Sequence, residues 1–173
     1  APYDAPKIAL ALVAEQGGGG VAALCGALSA ALSSMVCELT SGKKKYAQYQ
    51  ADIERISEKA KSLAADFTAL MGEDEEAFLP LSRAYGLPKD AEGREEIIEA
   101  ALVRAAEVPF RVLRKCRDAA ELAAELAEKG SRLVVSDAGV AAAVCEAAAN
   151  SFGVPSRSIT RCSISPCSAA DAK

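Results

Sequence analysis

Apolar positions along this chain recur every three or four residues in long runs, broken by short stretches of glycine, proline and lysine. That is the period of helices packed through one face. A first helix is expected over about 5–15, followed by Gly17, Gly18, Gly19 and Gly20. A second is expected over about 20–41, ended by Gly42 and by Lys43, Lys44 and Lys45, which complement the helix dipole as a C-cap. Its leucines at 24, 28, 32 and 39 form one stripe, while Ala22, Gly26, Ala30 and Ser34 form a small-residue face that admits a close neighbour. With no charged face for solvent, this helix is expected to be central.

A third helix begins near Ala47, with apolar residues at 53, 56, 60, 63, 67 and 70. Continuing that seam lands on Asp74, after which it resumes at Ala77, Leu81 and Ala84. Pro80 lies too deep for a first turn, so a kink is expected that frees the Glu76 carbonyl. "GLPKD" at 86–90 is a turn, and a fourth helix over about 91–129 carries the seam Ile98, Ala101, Ala105, Val112, Leu122 and Leu126, with a second kink at Pro109 and a stop at Gly130. The two long helices should pack antiparallel. A fifth helix starts near 136, with Ser136 as N-cap and Asp137 in the first turn. Residues 150–173 turn to Ser, Cys and Pro without a helical stripe and are expected to be an irregular tail behind a helical domain over 1–149.

Composition sharpens this picture. At 173 residues the chain is of one-domain length, and with 5% aromatics and one short strand-favouring run, "RLVVS" at 132–136, it is expected to be all-α, a bundle of long kinked helices. The net charge of -4, with no basic stripe, argues against nucleic acid. Residues 16–37 are uncharged, but they are mostly Gly, Ala and Ser, which favours a buried helix over a membrane span. "APYDAPKIALALVAEQ" lacks the basic region of a signal peptide, so a cytoplasmic location is expected. The six cysteines lack paired spacing, and Cys25, Cys37 and Cys145 sit in Ala/Leu helical runs, so free thiols and no structural metal are expected.

The chain has no histidine. Ser-His-Asp and Cys-His chemistry is thereby excluded, leaving acid-base work to carboxylates, lysine, tyrosine or cysteine. Asp74 is the residue that stands out. A carboxylate on a core-facing seam is paired, hydrogen-bonded or lining a site, and burial raises its pKa toward the range useful for proton transfer. The plain alternatives are a salt bridge, or a bend at Gly72 that turns the side chain to water. For Ser136 and Asp137 the plain alternative is ordinary capping; for the glycines and lysines it is a flexible linker and a C-cap.

A helix of about 21 residues is about 30 Å long, so the glycines and lysines of one chain cannot meet on one small ligand. They could meet in a two-fold dimer whose second helices pack antiparallel.

"GGGGVAALCGALSAAL", "LTSGKKKYA", "EDEEAF" with "AYGLPK", "AAEVPFRV" and "VSDAGVAAA" occur in the order and spacing of the formiminotransferase-cyclodeaminase and methenyltetrahydrofolate cyclohydrolase family. The chain resembles its helical cyclodeaminase domain over roughly 5–149. The resemblance implies a dimeric all-helical folate enzyme. Its substrate would be 5-formimidoyltetrahydrofolate, cyclised to the 5,10-methenyl form with loss of ammonia, or the methenyl form, hydrolysed to 10-formyltetrahydrofolate. By position, Asp74 and Asp137 match family acidic positions suited to proton transfer. Lys43, Lys44, Lys45 and Tyr46 match the segment expected to meet folate, Gly17 to Gly20 match the glycine loop, and Ser136 falls within the "VSDAGVAAA" motif beside Asp137. No tightly bound cofactor is implied beyond the tetrahydrofolate substrate. Two departures stand against the pattern. "AEQGGGG" replaces the usual Pro-Thr-Pro-Gly-Gly-Gly-Ser, and residues 150–173 lack the family's Asn-Val-x-Ile-Asn-like motif. They keep open a non-catalytic helical dimer of the same fold that binds folate or a partner.

Overall fold

The computed structural model describes residues 18–152; Gly17, the expected helix over 5–15 and the tail from 153 onward lie outside them. The described residues form four α-helices: α1 (Gly18–Thr40), α2 (Gln50–Tyr85), α3 (Arg94–Lys129) and α4 (Val135–Asn150). Short 3₁₀ turns cover Lys44–Tyr49 and Arg132–Val134. No strand occurs among the described residues, whose architecture is all-α. The strand-favouring run at 132–136 has no second strand to pair with, and it forms the second 3₁₀ turn and the start of α4.

The third-helix seam holds in α2, where Ile53, Ile56, Ala60, Leu63, Phe67 and Leu70 are all buried. On α3, Val108, Val112, Cys116, Ala119, Leu122 and Leu126 meet them. The two helices run antiparallel, and a ladder of ion pairs fixes their register: Asp52 with Lys129 at 2.7 Å, Arg55 with Glu125, Asp66 with Lys115 at 2.6 Å, and Glu73 with Arg111. At this exposure each rung stabilises little alone, and register is their main effect. Pro80 and Pro109 lie inside helices that continue through them. α3 begins at Arg94, later than expected, because residues 88–94 make two successive turns closed by Ala91 N–H to Pro88 O and Arg94 N–H to Ala91 O.

α1 corrects the expectation about its faces. Ala22, Ala23, Gly26, Ser29, Ala30, Ser33, Val36 and Cys37 are buried against the chain's own helices. The small-residue face is therefore spent within the subunit, with Ala30 only 1% exposed. The reason is distance: a Cβ at Gly26 would overlap the ring of Phe67, so α1 and α2 approach where only a hydrogen fits. The larger side chains look outward instead, with Leu28 51% and Leu39 45% exposed and Met35 also at the surface. By length and composition, α1 and the segment Arg132–Asn150 could cross a membrane; α1 places its small face against three other helices.

Cys37, Cys116 and Cys145 fill the core as small apolar groups, and together with Cys25 they are free thiols. Burial pushes the Cys37 thiol up to about 11. The Cys145 thiol donates to the Cys116 carbonyl at 2.9 Å, and contact with the Cys145 sulfur together with burial raises the Cys116 thiol above its ordinary pKa. Cys162 and Cys167 lie outside the described residues.

Candidate active site

The first turn of α1 is made of Gly18, Gly19 and Gly20, and α2 crosses it at Asp74. The approach is so close that a Cβ on Gly19 would overlap the Asp74 carboxylate. The Gly20 backbone N–H donates to that carboxylate, as the free amides at a helix N-terminus are placed to do. Burial raises the Asp74 pKa above its ordinary value, and the Gly20 hydrogen bond opposes that rise. A salt bridge does form at this level, but Glu73 makes it, with Arg111. Asp74 instead lines a cavity of about 290 Å³ with Gly18, Gly19, Phe78, Ala105, Pro109 and Phe152. α2 continues unbroken through Gly72.

The lysines lie at the other end of α1. Gly42 adopts φ 73°, the left-handed conformation that turns the chain out of the helix. Gly42 thus caps α1 as expected, but Lys43 leads out of the helix and Lys44 and Lys45 enter the 3₁₀ turn, so no basic residue occupies the last turn of α1 to complement its dipole. The Lys43 ammonium faces Ser131 Oγ at 3.5 Å, and Lys45 Nζ stands 5.7 Å from the centre of the Tyr46 ring. Arg132 N–H donates to the Tyr46 hydroxyl at 3.0 Å. That bond, supported by Ser131, Lys45 and Lys43, holds the phenol below its ordinary pKa.

Ser136 does not cap α4. The helix starts at Val135, with Val134 in the capping position and no side-chain cap, because the preceding 3₁₀ turn runs straight into it. Ser136 is exposed in the first turn, with Asp137 half-buried beside it. These residues share the lysine end, since Ser131 N–H donates to Thr40 Oγ1 at the close of α1. The far end of α4 leads to Phe152 at the Asp74 cavity. Asp137 therefore sits about 20 Å along α4 from the Asp74 end, and one chain does not bring the two carboxylates together.

The candidate residues therefore fall into two groups, one at each end of α1. One joins Gly18, Gly19, Gly20 and Asp74; the other joins Lys43, Lys44, Lys45, Tyr46, Ser136 and Asp137. Gly17 lies outside the described residues. The sequence reading missed Phe78, Pro109 and Phe152, although Phe78 follows Asp74 by four residues and so shares its helix face. It also missed Thr40 and Ser131, which carry no periodic signal.

A family profile described as formiminotransferase-cyclodeaminase matches residues 11–154, spanning most of the chain. The chain belongs to the formiminotransferase-cyclodeaminase family. Among relatives, a methenyltetrahydrofolate cyclohydrolase of Methylorubrum extorquens is 47% identical over 129 residues, covering 72% of this chain and 62% of that protein. A formimidoyltransferase-cyclodeaminase of Rattus norvegicus is 31% identical over 137 residues, 77% of this chain and 25% of that protein. The solved structure of a formiminotetrahydrofolate cyclodeaminase from Thermotoga maritima superposes with a TM-score of 0.71 at 36% identity, covering 80% of this chain and 67% of that one. The chain thus spans less than two thirds of the length of these two curated relatives.

Proposed function

We propose that this member of the formiminotransferase-cyclodeaminase family acts on a tetrahydrofolate one-carbon derivative, with Asp74 as the group that moves protons. The observation that carries this reading is the Asp74 carboxylate seated on the glycine turn of α1. It is half-buried, free of a salt bridge among the described residues, and open to a cavity large enough for part of a planar ligand. Hydrolysis of 5,10-methenyltetrahydrofolate is favoured by the 47% identity to a cyclohydrolase. In that reaction water attacks the carbon between N5 and N10 while the Asp74 carboxylate accepts its proton. The bond to N5 then breaks as N5 takes a proton back from Asp74, and the remaining hydroxyl proton leaves as the formyl carbonyl forms on N10. Cyclodeamination of 5-formimidoyltetrahydrofolate is the second reading, favoured by the 36% identical Thermotoga structure. There N10 closes on the formimidoyl carbon, the former imino nitrogen gains the N10 proton and one from protonated Asp74, and its bond to that carbon breaks to release ammonia and leave the methenyl cation.

The lysine end supplies point charges suited to the carboxylates of the folate tail. Because one chain separates its two ends, we place a complete site between two copies. α1 presents Leu24, Leu28, Leu32, Met35 and Leu39 as one outward stripe at intervals of four, four, three and four, with Leu28, Met35 and Leu39 exposed and Leu24 and Leu32 half-buried, and an apolar stripe of this kind suits a second copy of itself. Antiparallel packing through it sets the Asp74 end of one subunit beside the lysine end of the other. This replaces the small-residue face as the dimer contact.

The test is to offer each substrate separately and follow the methenyl absorbance. Its loss above the spontaneous rate identifies the hydrolase, and its appearance from the formimidoyl compound identifies the deaminase. Neither change, with folate still bound in equilibrium dialysis, would leave a non-catalytic folate-binding dimer.

A further inference from the structure

The lysine end is held by a pair of buried hydroxyls that no catalytic role accounts for. Thr40, at the last position of α1, is 1% exposed, and both hydrogen-bonding functions of its hydroxyl are used. It donates to the Val36 carbonyl at 2.7 Å and accepts from the Ser131 backbone N–H at 2.9 Å. Ser131, also 1% exposed, turns its own Oγ toward the Lys43 ammonium. The next residue donates its N–H to the Tyr46 hydroxyl. One short stretch of the α3–α4 connection thus touches three consecutive features of the lysine segment, across 91, 88 and 86 residues of sequence. Ser131 O also accepts from Val134 N–H, so the same stretch fixes where α4 begins and where Asp137 stands.

We propose that Thr40 and Ser131 are positioning residues, a buried clasp that presets Lys43 and Tyr46 against the start of α4 so that an anionic ligand meets them already ordered. The reading rests on the lysine end being the folate-tail half-site. The chemistry explains the residue types. Position 40 needs one donor, one acceptor and little volume, which Thr and Ser satisfy and Val does not. Without the Thr40 oxygen, the Ser131 amide is left buried and unpaired, and the connection must shift to reach water.

Thr40→Val, Thr40→Ser and Ser131→Ala are compared with the wild type by steady-state turnover of 5,10-methenyltetrahydrofolate and by spectroscopic titration of the Tyr46 phenol, taken as the difference from Tyr46→Phe. Thr40→Val is expected to raise KM by roughly three- to tenfold, the loss of one hydrogen bond of ordinary strength, with kcat within about twofold. Its Tyr46 titration should move up toward an ordinary phenol, and Thr40→Ser should restore both quantities. Should Thr40→Val fail to fold, Ser131→Ala decides, because it keeps the backbone bond to Thr40 and removes only the oxygen that faces Lys43 and supports the Tyr46 hydroxyl. It is expected to raise KM and the Tyr46 titration in the same sense. An unmoved Tyr46 titration, or a fall in kcat at unchanged KM, overturns the clasp. If the wild type neither binds nor turns over the folate, the folate reading falls and the Tyr46 titration alone judges the clasp.

Discussion

Asp74 is kept away from its cheapest arrangement. Glu73, one residue earlier, has the arginine, while Asp74 has one backbone amide and a cavity. A carboxyl whose folded pKa is raised holds its proton to higher pH than the unfolded chain does. Ionising it therefore lowers stability as pH rises through that window, and the loss persists at neutral pH. Asp74→Asn should accordingly melt at the same or a higher temperature while losing roughly two or more orders of magnitude in turnover, the range for a lost acid-base group. Calorimetry beside the chromophore assay checks both; wild-type turnover would remove Asp74 from the mechanism. The pH profile separates the two reactions. If Asp74 is the base of the hydrolysis, the rate rises with pH through an inflection above the ordinary carboxylate value; if it is the acid of the deamination, the rate falls there. Gly19 belongs to the same device. Alanine is the better helix former by about 1 kcal/mol, yet its methyl would overlap the carboxylate, so Gly19→Ala should stay folded and lose roughly 100-fold in turnover, as for a displacement of about 1 Å. Unchanged turnover would show that the carboxylate can move without consequence.

At the scale of elements, α2 was legible in the sequence and α1 was only partly so. α2 has one apolar stripe on an otherwise charged helix, so period alone names the buried face, and Asp74 stands out as an interruption. α1 is apolar or small all round, and period then shows two candidate stripes without saying which one the subunit uses. Closest approach decided it, because helices meet most tightly through small residues and leave the leucines outside. Gly26→Ala tests this directly. The added methyl falls inside the Phe67 ring, and overpacking should lower stability by about 1–3 kcal/mol, several degrees in melting temperature, despite the better helix propensity of alanine. Ser136 illustrates the other limit: Ser-Asp before an alanine run has the signature of a cap, but an upstream 3₁₀ turn had already set the helix frame. Thr40 and Ser131 were illegible, since a bond across 91 residues leaves no local pattern.

For the whole molecule, the leucine stripe and the small face of α1 make opposite predictions. Leu28→Arg should split a dimer and abolish activity while each subunit stays folded, since this side chain is half exposed in the single chain. Ala30→Arg should instead prevent folding, because Ala30 is buried within the subunit. Sedimentation with far-ultraviolet dichroism distinguishes the outcomes, and an active monomer would end the shared-site proposal. Mixing Asp74→Asn with Lys44→Ala chains adds a functional check: mixed dimers regain one intact site only if those residues come from different subunits. The long helices also outrun the bundle. The main core takes α2 as far as Leu70 and α3 from Val108 onward, whereas Leu81, Ala84 and Ala101 form a separate small cluster without any residue of α1 or α4. Beyond the cavity, then, this hairpin is a two-helix arm with few apolar contacts to protect its backbone amides among the described residues. Its amides should exchange with deuterium by local opening, long before those around Phe67. Phe78 and Ala105 lie at the root of that arm and in the wall of the Asp74 cavity, so a ligand bound there should slow the arm's exchange as well as its own surroundings'.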